Sequence, residues 1–415
     1  MRWIIPGIFI LAAPLMAGNV SASAAHDLAR PLCASLVRAV SEAAPEGGPA
    51  FVASYRQAPD EAEVPEALRN SAFTYDNALA IVALLACGDT AAARRIADAF
   101  LVALDNDRSF HDGRIRNAYR AGPVKDRPIL LAGWWDGRAG HWAEDRYQNG
   151  SATGNVAWAA MALLAAYEET RDPRYVNGAR EAADWIATVA TDTHAVGYKG
   201  GREGFDTEQV PLEWKSTEHN TDILALANRL AAHGDEKGRY AAMARSARAF
   251  LDLAFDRNSG CFRMGTTPEG AMRGVEAVAL DTQLWPLIAL SATPPEWKSA
   301  LTCAERRLGV AGGFDFNDDR DGLWTEGTAQ AALIYRVLGR QSEAGALLDT
   351  ISAESSPSGW LYATREARLS TGLMIGPWST ENDFFYFRRP HLGATAWAVL
   401  AATGRNPFLP SQSRR

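Results

Sequence analysis

A sixfold repeat is the feature that most constrains how this 415-residue chain can fold. Each unit consists of a polar or aromatic cluster, a helix-forming run rich in Ala and Leu, a Gly or Asp stop, and a second helix-forming run. The first runs of the units begin near Tyr75, Thr153, Thr217, Asp281, Thr325 and His391. A further helix is predicted from about Ala25 to Ala44, before the first unit. The pattern therefore predicts roughly twelve helices in six hairpins.

The first helix of each unit is apolar on several faces, whereas the second carries more charge. We therefore expect the first helices to form an inner ring and the second helices an outer ring, which defines an all-α (α/α)6 barrel. An open solenoid of helical hairpins is the alternative, but it favours more even spacing between units. We expect one barrel domain over residues 25–415, because a large closed barrel can keep a single core at this length.

Long inserts separate the hairpins and precede the inner helices. They cover residues 105–150, 191–215, 258–280, 308–323 and 355–390. Parallel inner helices would gather these loops at one end of the barrel. Loops gathered over a rigid scaffold commonly build a binding cleft, so we expect the functional site there.

The N-terminus has the pattern of a secretory signal peptide over residues 1–24. A cationic start precedes a nearly continuous apolar run over residues 3–18, and a small-residue cleavage site ends at Ala24. A membrane anchor is the alternative, but the run contains Pro6 and Pro14 and is shorter than the roughly 20 residues that a spanning helix needs. We expect a mature chain that is periplasmic or secreted and has no membrane partner.

Four cysteines, Cys33, Cys87, Cys261 and Cys303, are compatible with an oxidising compartment. Their even number and the absence of a CxxC motif permit two disulfides and disfavour a zinc site. The nearest-neighbour pairings are Cys33 with Cys87 and Cys261 with Cys303. Four small buried thiols are the alternative.

The charge balance argues against nucleic acid as a partner. The chain has 42 Lys and Arg against 49 Asp and Glu, a net charge of −7, and its basic residues form no stripe. It contains no glycine-rich phosphate loop, and no cofactor is predicted. The sequence does not indicate an oligomeric state.

Polar side chains near the starts of the inner helices are the candidates for chemistry, because the rest of each inner helix is committed to packing. They are Asp76, Asn77, Asn155, Glu218, His219, Asn220, Asp222, Asp281, Gln283, Glu326, Gln330 and His391. Helix capping is the alternative, and it explains Asn155 and Asp281 equally well. For Glu218 and Glu326, which lie in aromatic and polar phrases, catalysis or substrate binding is favoured.

Aromatic residues in the predicted loops indicate the kind of ligand. The chain has 13 Trp. Flat aromatic faces pack against sugar rings, while Asp, Glu, Asn and His bind hydroxyls, so the cleft is expected to take carbohydrate. The aromatic residues expected to contact it are Tyr75, Trp134, Trp135, Trp142, Trp214, Trp324 and Trp378. Trp158, Trp185 and Trp397 lie within predicted helices, and we expect them in the core.

Three phrases in this sixfold pattern, at residues 73–79, 215–220 and 324–330, resemble the six-hairpin glycosidase superfamily. The resemblance covers nearly the whole mature chain at the level of architecture. It implies an exported glycoside hydrolase with catalytic carboxylates at the loop end of the inner helices. Its substrate would be a polysaccharide or oligosaccharide, for example a bacterial exopolysaccharide or a glucan.

Cleavage of a glycosidic bond needs a protonated carboxyl at the leaving oxygen and a carboxylate that activates water or attacks the sugar. The candidates are Asp76, Glu218, Asp281 and Glu326. We predict that Glu218 is the general acid and Asp76 the base, with Glu326 as the alternative for either role. The width of a barrel mouth favours inversion, in which the carboxyls stand roughly 6.5 to 9.5 Å apart.

Three other functions remain open. A sugar 2-epimerase or isomerase would use His219 and His391, although export argues against it. A polysaccharide lyase would use Tyr75 or Tyr147 with a histidine. A non-catalytic polysaccharide-binding subunit would keep the barrel without the acid chemistry. The basic residues available to hold the acidic polymer of a lyase are Arg114, Arg116, Arg120, Lys199 and Lys215.

Two weak metal signals are interpreted as structural. Asp315, Asn317, Asp319 and Asp321 alternate as calcium ligands do, but no bidentate Glu follows at the expected spacing, so a solvated acidic loop is predicted. The histidines of the first long loop have no HExxH motif or cysteine partners. No metal is therefore predicted.

Overall fold

The computed structural model describes residues 20–57, 63–235, 238–376 and 378–411. Over these residues the chain forms the predicted (α/α)6 barrel, whose helices and strands are numbered in chain order. The inner helices are α3 (Thr74–Ala86), α6 (Thr153–Thr170), α8 (Thr217–Ala232), α10 (Leu280–Leu284), α12 (Thr325–Val337) and α14 (Leu392–Thr403). The outer helices are α1 (Val20–Ala43), α4 (Thr90–Asp105), α7 (Pro173–Val189), α9 (Arg239–Ala254), α11 (Ser299–Arg307) and α13 (Gln341–Ala353). Two short helices in the loops are α2 (Glu66–Arg69) and α5 (Arg146–Asn149).

The ring of inner helices is closed. Each inner helix packs against the next, and α14 packs against α3. The first helix, α1, packs against α14 and thereby completes the sixth hairpin. An open solenoid has no contact between its first and last units, so this alternative is wrong.

The interior of the ring is filled by aromatic side chains. The indole rings of Trp158 and Trp285 lie 5.3 Å apart between centroids, and Trp397 lies 6.0 Å from Trp158. Phe408, after the last helix, packs 5.1 Å from Trp158. Trp158, Trp185 and Trp397 are buried, as predicted. This plug closes the barrel axis below the loop end.

The fourth inner helix is shorter than predicted. The expected helix over residues 281–290 ends at Leu284 and continues as a 3-10 turn over Trp285–Leu287. Pro286 is the cause, because it has no N–H to donate and its ring clashes with the preceding helical turn.

The long loops contain short antiparallel strands. Their bounds are β1 (Ala50–Phe51), β2 (Ser71–Phe73), β3 (Ala118–Arg120), β4 (Gly122–Pro123), β5 (Trp134–Asp136), β6 (His141–Ala143), β7 (Ser151–Ala152), β8 (Gly201–Glu203), β9 (Val210–Leu212), β10 (Phe255–Asp256), β11 (Cys261–Phe262), β12 (Gly309–Val310), β13 (Gly313–Phe314), β14 (Leu361–Tyr362), β15 (Arg368–Ser370), β16 (Phe385–Phe387) and β17 (Pro390–His391). The pairs are β1–β4, β2–β3, β5–β6, β10–β11, β12–β13, β14–β17 and β15–β16, and β7, β8 and β9 form one sheet of three.

Amide side chains of the inner helices hold these loops. The Asn220 amide accepts a 2.8 Å hydrogen bond from the Tyr198 N–H and donates one of 3.0 Å to the Tyr198 carbonyl. The same pair of bonds joins Asn77 to Val52 and Gln283 to Phe262. All three amide residues are the fourth residue of an inner helix and are fully buried. Their amides are committed to the backbone, which corrects the prediction that Asn77, Asn220 and Gln283 bind substrate.

Replacing Asn220 with Ala is expected to destabilise the protein by about 2 kcal/mol, because it leaves the buried N–H and carbonyl of Tyr198 without partners. The measurement is the free energy of unfolding in urea. The matched control is Asn177→Ala on the exposed face of α7, for which a change within roughly 0.5 kcal/mol is expected. Equal destabilisation by the two substitutions would contradict the assigned role.

Both nearest-neighbour cysteine pairs form disulfides. Cys33 on α1 is bonded to Cys87 at the end of α3, and Cys261 on β11 is bonded to Cys303 on α11. Each bond links one hairpin to a neighbouring segment of the ring and lowers the conformational entropy of the unfolded chain. The predicted pairings are thus present, and the alternative of four free thiols is wrong.

The predicted signal peptide, residues 1–24, lies for the most part outside the described residues, which begin at Val20. Within the described ranges, no helix is both long enough and apolar enough to cross a bilayer.

Candidate active site

A layer of acidic side chains lies at the loop end of the inner ring. The first turns of four inner helices supply Asp76, Glu218, Asp281 and Glu326, and His391 directly precedes the sixth inner helix. Asp76, Asp281, Glu326 and His391 are each 5% exposed or less, whereas Glu218 is partly exposed. The sequence-predicted carboxylates are therefore brought together, because the parallel inner helices begin at the same end of the barrel.

His391 lies between two of the carboxylates. Its Nε2 is 3.3 Å from Oδ2 of Asp76, and its Nδ1 is 3.8 Å from Oε2 of Glu326. The Ala394 N–H also donates to Nδ1, at 3.3 Å, so the ring caps α14. Burial alone would lower the pKa of His391, but the Asp76 and Glu326 carboxylates outweigh it and raise this pKa. In either protonation state the Nε2–H can donate to Asp76, which holds that carboxylate in place.

Gly393 allows the two carboxylates to approach the backbone of α14. A Cβ at this position would lie 2.7 Å from Oδ1 of Asp76 and 2.8 Å from Oε2 of Glu326. Both distances are shorter than those at which Cβ atoms approach other atoms in proteins. Any side chain here would displace one of the two acids. No motif in the sequence marks this glycine as part of the site.

Glu326 is held in place by two hydrogen bonds in series from aromatic side chains. The Tyr75 hydroxyl donates a 2.6 Å hydrogen bond to Oε1 of Glu326, and the Trp397 indole N–H donates to the Tyr75 oxygen at 2.7 Å. Burial raises the pKa of Glu326 to about 7, although His391 and Tyr75 oppose the rise. Tyr75 was predicted to contact substrate, and in the structure its hydroxyl is used to orient Glu326.

Glu218 is the carboxyl best suited to donate a proton. Burial raises its pKa well above the ordinary value, and the nearby Asp281 and Glu326 carboxylates raise it further. Burial also raises the pKa of Asp281 to about 7. The raised pKa favours the protonated form of Glu218, and its side chain remains partly open to the loop end.

The two histidines of the site have pKa values that are shifted in opposite directions. Burial lowers the pKa of His219 to about 4, so its ring is neutral near neutral pH. Its Nδ1 is 3.0 Å from the Thr153 hydroxyl, and its ring lies 5.3 Å from that of Trp214. His219 and Trp214, both predicted substrate contacts, are partly exposed beside Glu218.

Replacing Glu326 with Gln is expected to make the protein more stable than wild type at pH 8 but not at pH 4.5. An unfolded glutamate ionises near 4.5, whereas Glu326 in the folded chain ionises near 7. Between these values the unfolded state loses its proton first, so wild-type stability falls as the pH rises. Gln does not titrate and still accepts the Tyr75 hydrogen bond. The measurement is the free energy of unfolding at pH 4.5, 6 and 8.

The control for this pH effect is Glu343→Gln, at an exposed position where the hydrogen bond with Arg340 lowers the glutamate pKa. Its stability difference from wild type is expected to have the opposite sign. A Glu326→Gln difference that does not grow between pH 4.5 and pH 8 would contradict the burial effect.

Several predicted aromatic contacts lie elsewhere. Trp324 is buried and packs 4.9 Å from Phe316 and 5.6 Å from Tyr386, so it supports the loops rather than offering an open face. Trp134 lies in the β5–β6 hairpin, where Trp135 pairs with Trp142 across the strands. The side chain of Trp135 is 61% exposed, and the Arg120 guanidinium covers Trp142 at 4.2 Å. The structure does not bring this hairpin into hydrogen-bond or ring contact with the acidic layer among the described residues.

Two other predicted contacts, Asn155 and Trp378, each have a neighbouring side chain as partner. The Asn155 amide donates to Oδ1 of Asn117 at 2.8 Å. Trp378 is exposed, and the Arg146 guanidinium lies 5.3 Å from its ring centroid. Tyr55, a loop residue that was not among the predicted contacts, stacks on His391 at 4.8 Å. Tyr55 comes from outside the inner helices, so helix-start patterns could not find it.

The basic residues considered for an acidic polymer are engaged elsewhere. Arg116 is buried between Asp107 and Asp206, and Lys215 pairs with Asp192. Lys199 pairs with Glu213, Arg114 with Asp112, and Arg120 covers Trp142. Among the described residues, no lysine or arginine forms an ion pair with Asp76, Glu218, Asp222, Asp281 or Glu326.

The acidic loop has a local role. Carboxylate oxygens of Asp315, Asp319 and Asp321 lie within 4.8 Å of one another. Asp315 accepts hydrogen bonds from two backbone N–H groups, and Asp321 accepts one from the Ser370 N–H. These bonds shape the turn before α12.

Comparisons with known proteins agree on the fold. No known family profile matches the sequence, and no curated protein sequence matches it either. A solved glycosidase structure is 15% identical, with a TM-score of 0.61, over 95% of this chain and 100% of that chain. A D-mannose isomerase is 10% identical, with a TM-score of 0.63, over 95% and 99%. A sugar epimerase from a ruminal bacterium is 10% identical, with a TM-score of 0.60, over 91% and 98%.

These similarities establish the fold class. The chain shares its (α/α)6-barrel fold with the solved glycosidase, isomerase and epimerase structures, which confirms the predicted fold. At 10–15% identity they carry no residue roles.

Proposed function

We propose that this protein is a glycoside hydrolase with Glu218 as the general acid and Asp76 as the base. The observation that carries the proposal is that two carboxyls of the acidic layer, those of Glu218 and Asp76, have contrasting surroundings. The raised pKa of Glu218 favours a proton donor, whereas the imidazole Nε2 of His391 lies 3.3 Å from Oδ2 of Asp76 and stabilises a carboxylate there. Glycosidic cleavage needs one carboxyl in each state.

The reaction would proceed by inversion. Glu218 donates its proton to the glycosidic oxygen as the bond from that oxygen to the anomeric carbon breaks. Asp76 takes a proton from water as the water oxygen bonds to the anomeric carbon from the opposite face. His391 orients Asp76, and Tyr75 orients Glu326. Glu326 remains the alternative base, because its Oε2 accepts no hydrogen bond among the described residues.

Two features support a neutral saccharide as the substrate. The acidic layer has no lysine or arginine ion pair in the described part of the chain, so a uronate or phosphate would find no such cation beside the acids. A lyase acting on an acidic polymer is disfavoured for the same reason. The glycosidases among the solved structures of this fold, one of them determined in complex with glucose, support the choice of sugar chemistry.

We further propose that the enzyme acts outside the cytoplasm, on a polysaccharide or oligosaccharide in the periplasm or the medium. The signal-peptide pattern of residues 1–24 supports export. The two disulfides are typical of an oxidising compartment.

The test is a reducing-end assay of the mature protein on a panel of neutral glucans, exopolysaccharides and oligosaccharides. New reducing ends of inverted anomeric configuration, observed by NMR, are expected. Retained configuration would replace the inverting mechanism with a covalent one. Binding without cleavage of any member of the panel would contradict hydrolysis and favour a binding subunit.

A sugar isomerase or epimerase is the second candidate, favoured by the histidines. His219 is neutral and can accept a proton, while the raised pKa of His391 suits a donor. The D-mannose isomerase and the epimerase share this fold. Incubation of free D-mannose and D-glucose with the protein in D2O distinguishes the two functions, because deuterium enters C2 of an epimerised sugar, or C1 of a ketose product, only if the enzyme removes the proton from C2.

A further inference from the structure

Two tyrosine rings flank His391 at the loop end of the barrel. The backbone of Tyr55 forms an isolated β-bridge with His391, and its ring stacks on the imidazole at 4.8 Å. The ring of Tyr386, on β16, lies 6.0 Å from the imidazole at an angle of 58°. Because His391 lies between Asp76 and Glu326, both tyrosines lie beside the part of the acidic layer that holds the proposed base.

The hydroxyls of these two tyrosines are within electrostatic reach of the carboxylates. Burial raises the pKa of Tyr386 well above its ordinary value, and the Glu326 and Asp76 carboxylates raise it further. Burial also raises the pKa of Tyr55, and the same two carboxylates add to the rise. Both hydroxyls therefore stay protonated near neutral pH and can donate a hydrogen bond.

Neither hydroxyl has a hydrogen-bond partner among the described residues, which distinguishes this pair from the third tyrosine of the site. The Tyr75 hydroxyl donates to Glu326 and accepts from the Trp397 indole, so both of its hydrogen-bonding roles are filled within the protein. The hydroxyls of Tyr55 and Tyr386 keep theirs for a ligand.

A ligand can also reach these two groups. The hydroxyl oxygens of Tyr55 and Tyr386 are accessible to solvent, and both side chains are partly exposed. Oε2 of Glu326, which also has no hydrogen-bond partner in the described part of the chain, is buried. The predicted contact Gln330 and the acid Asp222 lie one helical turn below the layer and are fully buried. The tyrosine hydroxyls, and not these deeper groups, therefore line the surface that a substrate can touch.

A protonated hydroxyl beside a carboxylate suits a sugar hydroxyl. The sugar oxygen accepts a hydrogen bond from one group, while its own proton is donated to another. The tyrosine rings also offer apolar faces against which a sugar ring can pack. Tyr55 and Tyr386 come from loops at opposite ends of the sequence, so together they can contact one sugar from both sides of His391.

We propose that Tyr386 and Tyr55 are further catalytic residues, whose hydroxyls donate hydrogen bonds to the sugar unit under attack and thereby select its configuration. This inference rests on the proposed hydrolase function. The anomeric carbon must lie between Glu218 and Asp76 during inversion. Both tyrosines lie on the Asp76 side of that point, because they flank the imidazole that bonds Asp76. They therefore contact the attacked sugar and not the leaving group.

The test removes each hydroxyl alone, in Tyr386→Phe and Tyr55→Phe, which keep the rings beside His391. On the substrate that the reducing-end panel identifies, each variant is expected to lower kcat/KM about tenfold or more. The Tm should not fall, because no hydrogen bond within the protein is lost. The matched control is Tyr240→Phe on α9, whose hydroxyl bonds Asp184 in the outer ring, and it should keep the wild-type kcat/KM.

A comparison with modified substrates shows whether the contact is direct. Monodeoxy analogues of that substrate each lack one hydroxyl of the attacked sugar. Wild type is expected to cleave at least one analogue about tenfold more slowly, and Tyr386→Phe or Tyr55→Phe should cause no further loss on that analogue, because the same hydrogen bond is already missing. A full additional loss on every analogue would overturn direct contact.

The outcomes separate this inference from the hydrolase itself. Cleavage with unchanged kcat/KM in both Phe variants would overturn the role of the tyrosines and leave hydrolysis intact. If wild type cleaves no member of the panel, binding of D-glucose, D-galactose, D-mannose, D-xylose and L-fucose is measured as a rise in Tm. Binding that the Phe variants weaken about tenfold would reject the hydrolase alone. Binding that both variants keep, or no rise in Tm with any sugar, would overturn both proposals.

Discussion

The Glu218→Gln variant is expected to lose about 10²- to 10⁴-fold in kcat on natural glycosides, the usual contribution of a general acid. Gln cannot donate a proton to the leaving oxygen, yet it keeps the size of Glu218 at the partly exposed start of α8. The size of the loss should depend on the leaving group. A dinitrophenyl glycoside leaves without protonation, so its cleavage is expected to fall far less than that of a natural disaccharide.

The measurement is therefore kcat for both substrates in the variant and the wild type. Glu213→Gln is the matched control, because Glu213 is exposed on a neighbouring loop and pairs with Lys199. It should keep wild-type kcat on both substrates. Equal losses on the two substrates in Glu218→Gln would show that Glu218 acts in some role other than proton donation.

The Asp76→Ala variant is expected to lose roughly 10³-fold in kcat, because no carboxylate remains to take the proton from the attacking water. His391 Nε2 and the space above Gly393 would then face a small cavity. Added azide is expected to enter this cavity, attack the sugar without a base and restore part of the rate. The product would be a glycosyl azide of inverted configuration.

The measurement is the rate with and without azide and the identity of the product by NMR. Asp105→Ala, at an exposed position near the end of α4, is the matched control and should show neither loss nor rescue. If Asp76→Ala keeps its activity and Glu326→Gln loses activity, the base is Glu326 and not Asp76. Glu326 is the other carboxylate beside His391.

The helix-start patterns predicted the acidic layer well because its position depends on local signals. Apolar periodicity specifies which helix is buried, and the stop residues specify where each helix ends. The first residues of every inner helix must therefore meet at one end of the ring, so Asp76, Glu218, Asp281 and Glu326 lie in one layer. Pro286 was the local signal that the prediction for the fourth inner helix overlooked.

The same patterns could not separate residues that bind the backbone from residues that face the site. Asn77 and Asn220 follow Asp76 and Glu218 by one or two positions, which directs them to a different side of the helix. Their partners, Val52 and Tyr198, lie 25 and 22 residues away in loops whose path the sequence does not predict. The hydrogen-bond partner of an amide side chain at a helix start can therefore be identified only when the positions of the loops are known.

The sequence alone thus determined the six hairpins, the division into inner and outer helices and the end of the barrel that carries the acids, because these depend on periodicity and helix stops. Only the tertiary structure decided that His391 lies between Asp76 and Glu326 and that Gly393 makes room for both. These properties arise from contacts between residues far apart in the chain. Burial and neighbouring charge then set the protonation of each acid, and neither can be known until the ring has closed.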